Sequence, residues 1–120
     1  RYDSPIQAIS RQALRDTQLA SHTISKHQIV HCLMGAANRD PATFKNPDVF
    51  DITRKQEAQI SFGHGIHYCL GAQMAKLVSE IAVLNLIQHY PDISINKQAL
   101  DWEKSFLVHG FLSIPATINH

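Results

Sequence analysis

The groups in this chain that could do chemistry crowd into ten residues, FGHGIHYCLG, Phe62 to Gly71. This stretch holds three of the five glycines (Gly63, Gly65 and Gly71), one of the two cysteines and two of the eight histidines. Cysteine is a soft donor and a nucleophile, and its working form is the thiolate. Cys69 ends the stretch just before a helical pattern begins. Backbone N–H groups at a helix start are unpaired and carry partial positive charge, so they favour an anionic sulfur. Gly63 and Gly65 permit tight turns and the close approach of a bulky partner, and Gly71 leaves room for a flat group against the first helical turn. His67 could donate to an anionic group on that partner. A thiolate beside room for a large flat ligand suits an axial ligand of haem iron. Two readings compete with it. Cys69 could be a plain buried cysteine. His64, His67 and Cys69 could bind zinc, although a structural zinc wants four ligands and a fourth is not evident.

The elements that must position this loop are short, with one exception. Pro5 marks a helix start or an extended turn, and the IQAISRQAL that follows mixes apolar and polar residues like a strand. Thr17–Leu19 and His22–Ile24 read as two strands around Ala20-Ser21, a turn with no residue that favours positive φ. Gln28–Met34 is an apolar run with a β-branched start and reads as a strand, with Cys32 in its core. Pro41, Asn46-Pro47 and several Asp make residues 35–51 turn and loop with at most a short helix. The exception follows Gly71. Met74, Leu77, Val78, Ile81, Leu84 and Ile87 recur at helical spacing up to Pro91, with Lys76 and Glu80 as an i,i+4 pair on the polar side. Ala75, Ala82, Val83 and Leu86 widen the apolar face, so this helix expects cover on several sides. Ile93 and Ile95 alternate in a short strand, and Ser105–Ile114 reads as a hairpin turning near His109-Gly110. The fold class is α+β, incomplete as a domain: no second long helix is present to cover the first.

Composition excludes several classes. The 120 residues are 44% hydrophobic and 18% charged, with a net charge of +1, so there is no basic footprint for nucleic acid or an anionic membrane. No apolar run approaches the roughly 20 residues that span a bilayer. Two cysteines make no disulfide framework, which suits a reducing cytosol. The chain begins at Arg1 rather than Met, as processing or a fragment would give. His22, His27, His31, His89, His109 and His120 show no ligand spacing and read mostly as surface or satisfied core residues.

The ten-residue stretch resembles the haem-binding signature of the cytochrome P450 family, Phe-Gly-x-Gly-x-His/Arg-x-Cys-x-Gly. Phe62, Gly63, Gly65, His67, Cys69 and Gly71 fill every fixed position. RYDSPIQAISR at the start, GAANRDP at 35–41, FDITR at 50–54 and the final FLVHGFLSIP also look like a soluble bacterial member. The resemblance covers residues 1–120 and implies the C-terminal, haem-binding portion of that mainly helical fold, with the N-terminal portion absent.

The resemblance further implies a haem-thiolate monooxygenase of the cytoplasm. It would insert one oxygen atom from O₂ into a small organic substrate, with electrons from a separate ferredoxin- or flavodoxin-type partner and with no role for nucleic acid or membrane. Cys69 would be the axial ligand of haem b, and Phe62 would pack on the thiolate side. His67 and Arg11 would bind the haem propionates. Ile6, Gln7, Ala8, Leu107 and Val108 would line the substrate pocket. Lys76 would be a contact for the electron partner. Arg1 matches the Arg of the family's Glu-x-x-Arg motif. The departures are these: the Glu of that motif and the oxygen-activating helix would lie before Arg1; Val49 stands where many relatives carry Arg or His; Val78 replaces a common Glu; Ala20-Ser21 replaces a frequent Gly-Gly; and Ser25 replaces a frequent Pro. The isolated 120 residues are accordingly expected to be inactive, and a non-catalytic fragment that binds haem weakly or not at all is the alternative.

Overall fold

A computed structural model describes residues 1–55 and 58–118. His120 lies outside the described residues. The chain divides into two units, the first made of residues 1–61 and 105–109, the second of residues 62–104 and those from 110 onward.

In the first unit, β1 (Ala8–Gln12) pairs antiparallel with β4 (Ile29–Leu33), setting Ser10 opposite His31 and Arg11 opposite Val30. Between them, β2 (Thr17–Leu19) and β3 (His22–Ile24) form the expected hairpin. Its turn puts Ala20 at φ 51°, a left-handed conformation that an L side chain adopts at a cost of about 1–2 kcal/mol. The strand expected to run to Met34 stops at Leu33, because Met34–Ala37 turns into a short helix, α1. Met34 is buried there with Ala8 and Phe44.

The irregular chain after α1 is held by arginines instead of by secondary structure. The Arg1 guanidinium donates to the carbonyls of Asn38 (2.6 Å) and Pro47 (2.9 Å) and lies 5.0 Å from the centre of the Phe44 ring. Arg39 stacks 4.1 Å over Tyr2, donates to the Tyr2 carbonyl at 2.8 Å and pairs with Asp48 at 3.2 Å. Arg54 donates to the carbonyls of Lys45 and Asn46. A planar guanidinium with five donors can satisfy several loop carbonyls at once.

The second unit carries α2, Ala72–His89, the expected long helix. Only Ala72 in it is buried; Met74 is 72% exposed and Leu77 57%. Lys76 does not pair with Glu80. Its Nζ lies 5.6 Å above the Phe62 ring, a cation–π contact. After α2, β5 (Ile93–Ile95) pairs antiparallel with β8 (Ala116–Ile118), and β6 (Asp101–Trp102) with β7 (Phe111–Ser113).

The hairpin expected over Ser105–Ile114 is not formed. Residues 105–109 join the first unit: Gln7 N–H donates to the Leu107 carbonyl at 2.8 Å, Val108 bridges Ile6, and His109 N–H donates to the Pro5 carbonyl at 2.8 Å. Phe111 instead meets Trp102, ring centres 3.9 Å apart, and Glu103 N–H donates to the Gly110 carbonyl. A cross-strand aromatic pair of this kind outweighs a short local hairpin that is marginal alone.

Candidate functional site

Three backbone features shape the loop around Cys69. Gly63 and Gly65 take φ 78° and 69°, a left-handed region that a residue with a Cβ enters only with strain. A single 3₁₀ turn over Gly65–His67 follows, closed by Tyr68 N–H donating to the Gly65 carbonyl at 3.0 Å. Cys69 N–H then donates back to the Phe62 carbonyl at 2.8 Å, so the two ends of the loop meet. Gly71 caps α2, and Ala72 N–H donates to the Cys69 carbonyl at 3.2 Å. Among the described residues, the N–H groups of Leu70 and Gly71 have no protein acceptor.

The sulfur sits in this frame as a free, exposed thiol without a disulfide partner. Cβ atoms built on Gly65 and Gly71 would meet nothing within 4 Å, so open space adjoins the backbone on that stretch. Ile66, inside the turn, and Leu70, just after Cys69, are fully exposed at 97% and 103%. The Phe62 ring lies 6.4 Å from Tyr68 and under Lys76. One soft donor, unpaired N–H groups beside it, apolar side chains and free space form a donor set that suits a flat, apolar, metal-centred ligand. Zinc does not fit: no three His, Cys, Asp or Glu side chains among the described residues gather as a metal site, so His64, His67 and Cys69 do not act together.

Arg11 and the residues expected on the substrate side lie in the first unit. Arg11, on β1, is exposed and donates to the Ser10 carbonyl at 2.9 Å. Ile6, Gln7, Leu107 and Val108 are brought together by the pairing of residues 6–7 with 107–108, while Ala8 is buried in the core. Gln7 also lines a cleft of about 310 Å³ with Asp3, Arg39 and His109. In that cleft, the Gln7 side chain fills the space over Gly35: a Cβ there would fall 2.1 Å from Gln7 Oε1.

Sequence reasoning missed two features. One is the contact between His109 Nε2 and Asp3 Oδ1, 3.5 Å apart. The other is Asn38, a fully buried amide that neither pattern nor spacing marks. Cys32, expected in the core, is exposed on β4, because β1 and β4 form a two-stranded sheet with no further layer of this unit over that position. No helix among the described residues is long and apolar enough to cross a membrane.

Residues 1–118 match the family model described as cytochrome P450. The biotin biosynthesis cytochrome P450 of Bacillus subtilis (strain 168) is 47% identical over 102 residues, which are 85% of this chain and 25% of that relative. The 6-deoxyerythronolide B hydroxylase of Saccharopolyspora erythraea is 36% identical over 121 residues, 99% of this chain and 30% of that one. The structure is similar to that of P450BioI in complex with hexadec-9Z-enoic acid ligated acyl carrier protein, with a TM-score of 0.90 and 40% identity over 98% of this chain and 31% of that one. It is also similar to CYP109E1 from Bacillus megaterium in complex with testosterone, with a TM-score of 0.92 and 35% identity over 99% and 33%. The chain thus spans 25–33% of the length of these relatives.

Proposed function

The chain belongs to the cytochrome P450 family, and from that premise we propose that it is the haem-holding C-terminal portion of a haem-thiolate monooxygenase, in which Cys69 would supply the thiolate that holds the iron. The observation that carries this reading is the loop itself: a lone exposed thiol at the start of α2, framed by two left-handed glycines and by a third with empty space beside it.

Haem b, when bound there, supplies the iron that activates O₂ for insertion of one oxygen atom into an organic substrate. The chain's own residues do the rest. Cys69 Sγ would hold the iron, and the N–H groups of Leu70 and Gly71, which have no protein acceptor among the described residues, would be the donors available to tune that sulfur. Phe62, whose ring lies 6.4 Å from that of Tyr68 and 5.6 Å from Lys76 Nζ, would pack on the thiolate side. Gly63 and Gly65 turn the backbone, and Gly71 leaves the space a side chain would take. His67 and Arg11 are assigned to the two propionates, as cationic or hydrogen-bonding groups for carboxylates. Ile6, Gln7, Ala8, Leu107 and Val108 are assigned to the substrate side, for a small organic molecule. Electrons would come from a separate ferredoxin- or flavodoxin-type carrier, with Lys76 as a contact, in the cytoplasm.

A second reading is favoured by the bare face of α2: a chain that holds haem weakly or not at all and does not turn over by itself. Haem titration of the 120-residue chain, followed by reduction under carbon monoxide, separates the two. The first reading expects a Soret band strongly red-shifted from that of histidine-ligated haem. That band should be lost in Cys69→Ser, and in Gly71→Val with the fold kept. An unchanged spectrum in Cys69→Ser would remove Cys69 from the role, and absence of the band in the parent chain would leave only the second reading.

A further inference from the structure

Asn38 is 0% exposed, and its side-chain amide makes three hydrogen bonds that use both N–H donors and the oxygen. Its Oδ1 accepts from Ile60 N–H at 2.9 Å, which fixes the orientation of the amide, because an N–H can only face the oxygen. Its Nδ2 then donates to Ser4 Oγ at 2.8 Å and to Ser61 Oγ at 3.0 Å. Ser4 is equally buried, and its hydroxyl lies 3.4 Å from that of Ser61. The Asn38 carbonyl accepts from Arg1, and its N–H donates to the Met34 carbonyl. Ser61 is the residue before Phe62, whose carbonyl takes the Cys69 N–H; Ser4 precedes Pro5 and the Ile6–Ala8 segment.

We propose that Asn38 is a positioning residue for the cysteine loop: by gripping both Ile60 and Ser61 it fixes the backbone from which the Phe62–Cys69 loop is suspended. An amide buried to this degree is costly unless fully paired, and pairing it to two consecutive residues leaves those residues one position. A Leu or Met in its place would fill the volume but release residues 60 and 61. That the held loop serves a haem thiolate rests on the function proposed above; that Asn38 holds the loop does not.

The test is amide hydrogen exchange on the ¹⁵N-labelled chain, reading the Cys69 N–H against the β1–β4 and β5–β8 amides. Asn38→Ala and Ser61→Ala are expected to raise exchange at Cys69 by about tenfold or more while the strand amides keep their rates. A purely stabilising role would instead raise exchange at β1–β4 at least as much as at Cys69, and that result overturns the proposal. So does a Cys69 amide that exchanges at the wild-type rate in both variants, or at the free-peptide rate in the parent chain. Where Asn38→Ala unfolds, Ser61→Ala decides, since it removes a single partly buried hydroxyl. After haem addition, Ser61→Ala should also lower the share of the red-shifted Soret band. A parent chain without that band refutes the haem reading and leaves the exchange result standing.

Discussion

The first unit holds an irregular chain in place with few apolar side chains, whereas the second leaves its most regular element almost uncovered. In the first, Phe44, Met34, Ala8 and the Asn38 amide are buried, and Arg1, Arg39 and Arg54 tie the loops down through carbonyls. In the second, the 18-residue helix α2 is apolar on several sides yet buries only Ala72. Regularity and burial are thus separable. Local spacing and propensity suffice to form a helix, but apolar area is removed from water only where other elements lie against it. The chain itself spans 25–33% of the length of its relatives.

The contrast can be broken by mutation. Phe44→Ala removes a ring that is 6% exposed, and it should destabilise the first unit by about 3–5 kcal/mol, as read from urea unfolding of β1–β4 amides. A loss under 1 kcal/mol would mean that the unit is not a packed core. Two of the left-handed positions come next. Gly65→Ala should cost about 1–2 kcal/mol and Ala20→Gly should return about 1 kcal/mol, because neither change meets a neighbour more important than its own φ. Equal and small effects of both would show that the glycine loop is not held as described. Leu77→Ala on the bare face of α2 should change stability by no more than about 0.5 kcal/mol. A loss as large as that of Phe44→Ala would show that α2 is covered in solution.

The smallest effect concerns Asp51. The Thr53 hydroxyl donates to its carboxylate at 2.6 Å and the Thr53 N–H at 2.9 Å, and these bonds hold its pKa below the usual value. A lowered carboxylate pKa means that the contribution is present above the ordinary value and is lost as pH falls through the lowered one. Thr53→Val should therefore move the Asp51 midpoint upward in a carbon-detected NMR titration; no movement would show that the hydroxyl bond does not form.

Much of this protein is legible in its sequence because its signals are local. The β2–β3 hairpin and α2 lie where alternation and helical spacing put them, since both patterns depend on residues a few positions apart. The Phe62–Gly71 stretch marks itself in the same way, because positive φ restricts residue type and a ligand needs a donor at one position. The β5–β8 and β6–β7 pairings, the recruitment of residues 105–109 to the first unit, and the burial of Asn38 had no such trace. Each depends on which distant groups arrive opposite one another: Phe111 pairs with Trp102 across the chain, and an asparagine near a turn reads the same whether it faces water or three hydrogen-bond partners. Sequence by itself determined the cysteine, its glycines and the helix behind it. Only the tertiary structure decided which partners bury the Asn38 amide and which apolar surface stays bare, because hydrogen-bond satisfaction and burial are properties of the packed chain.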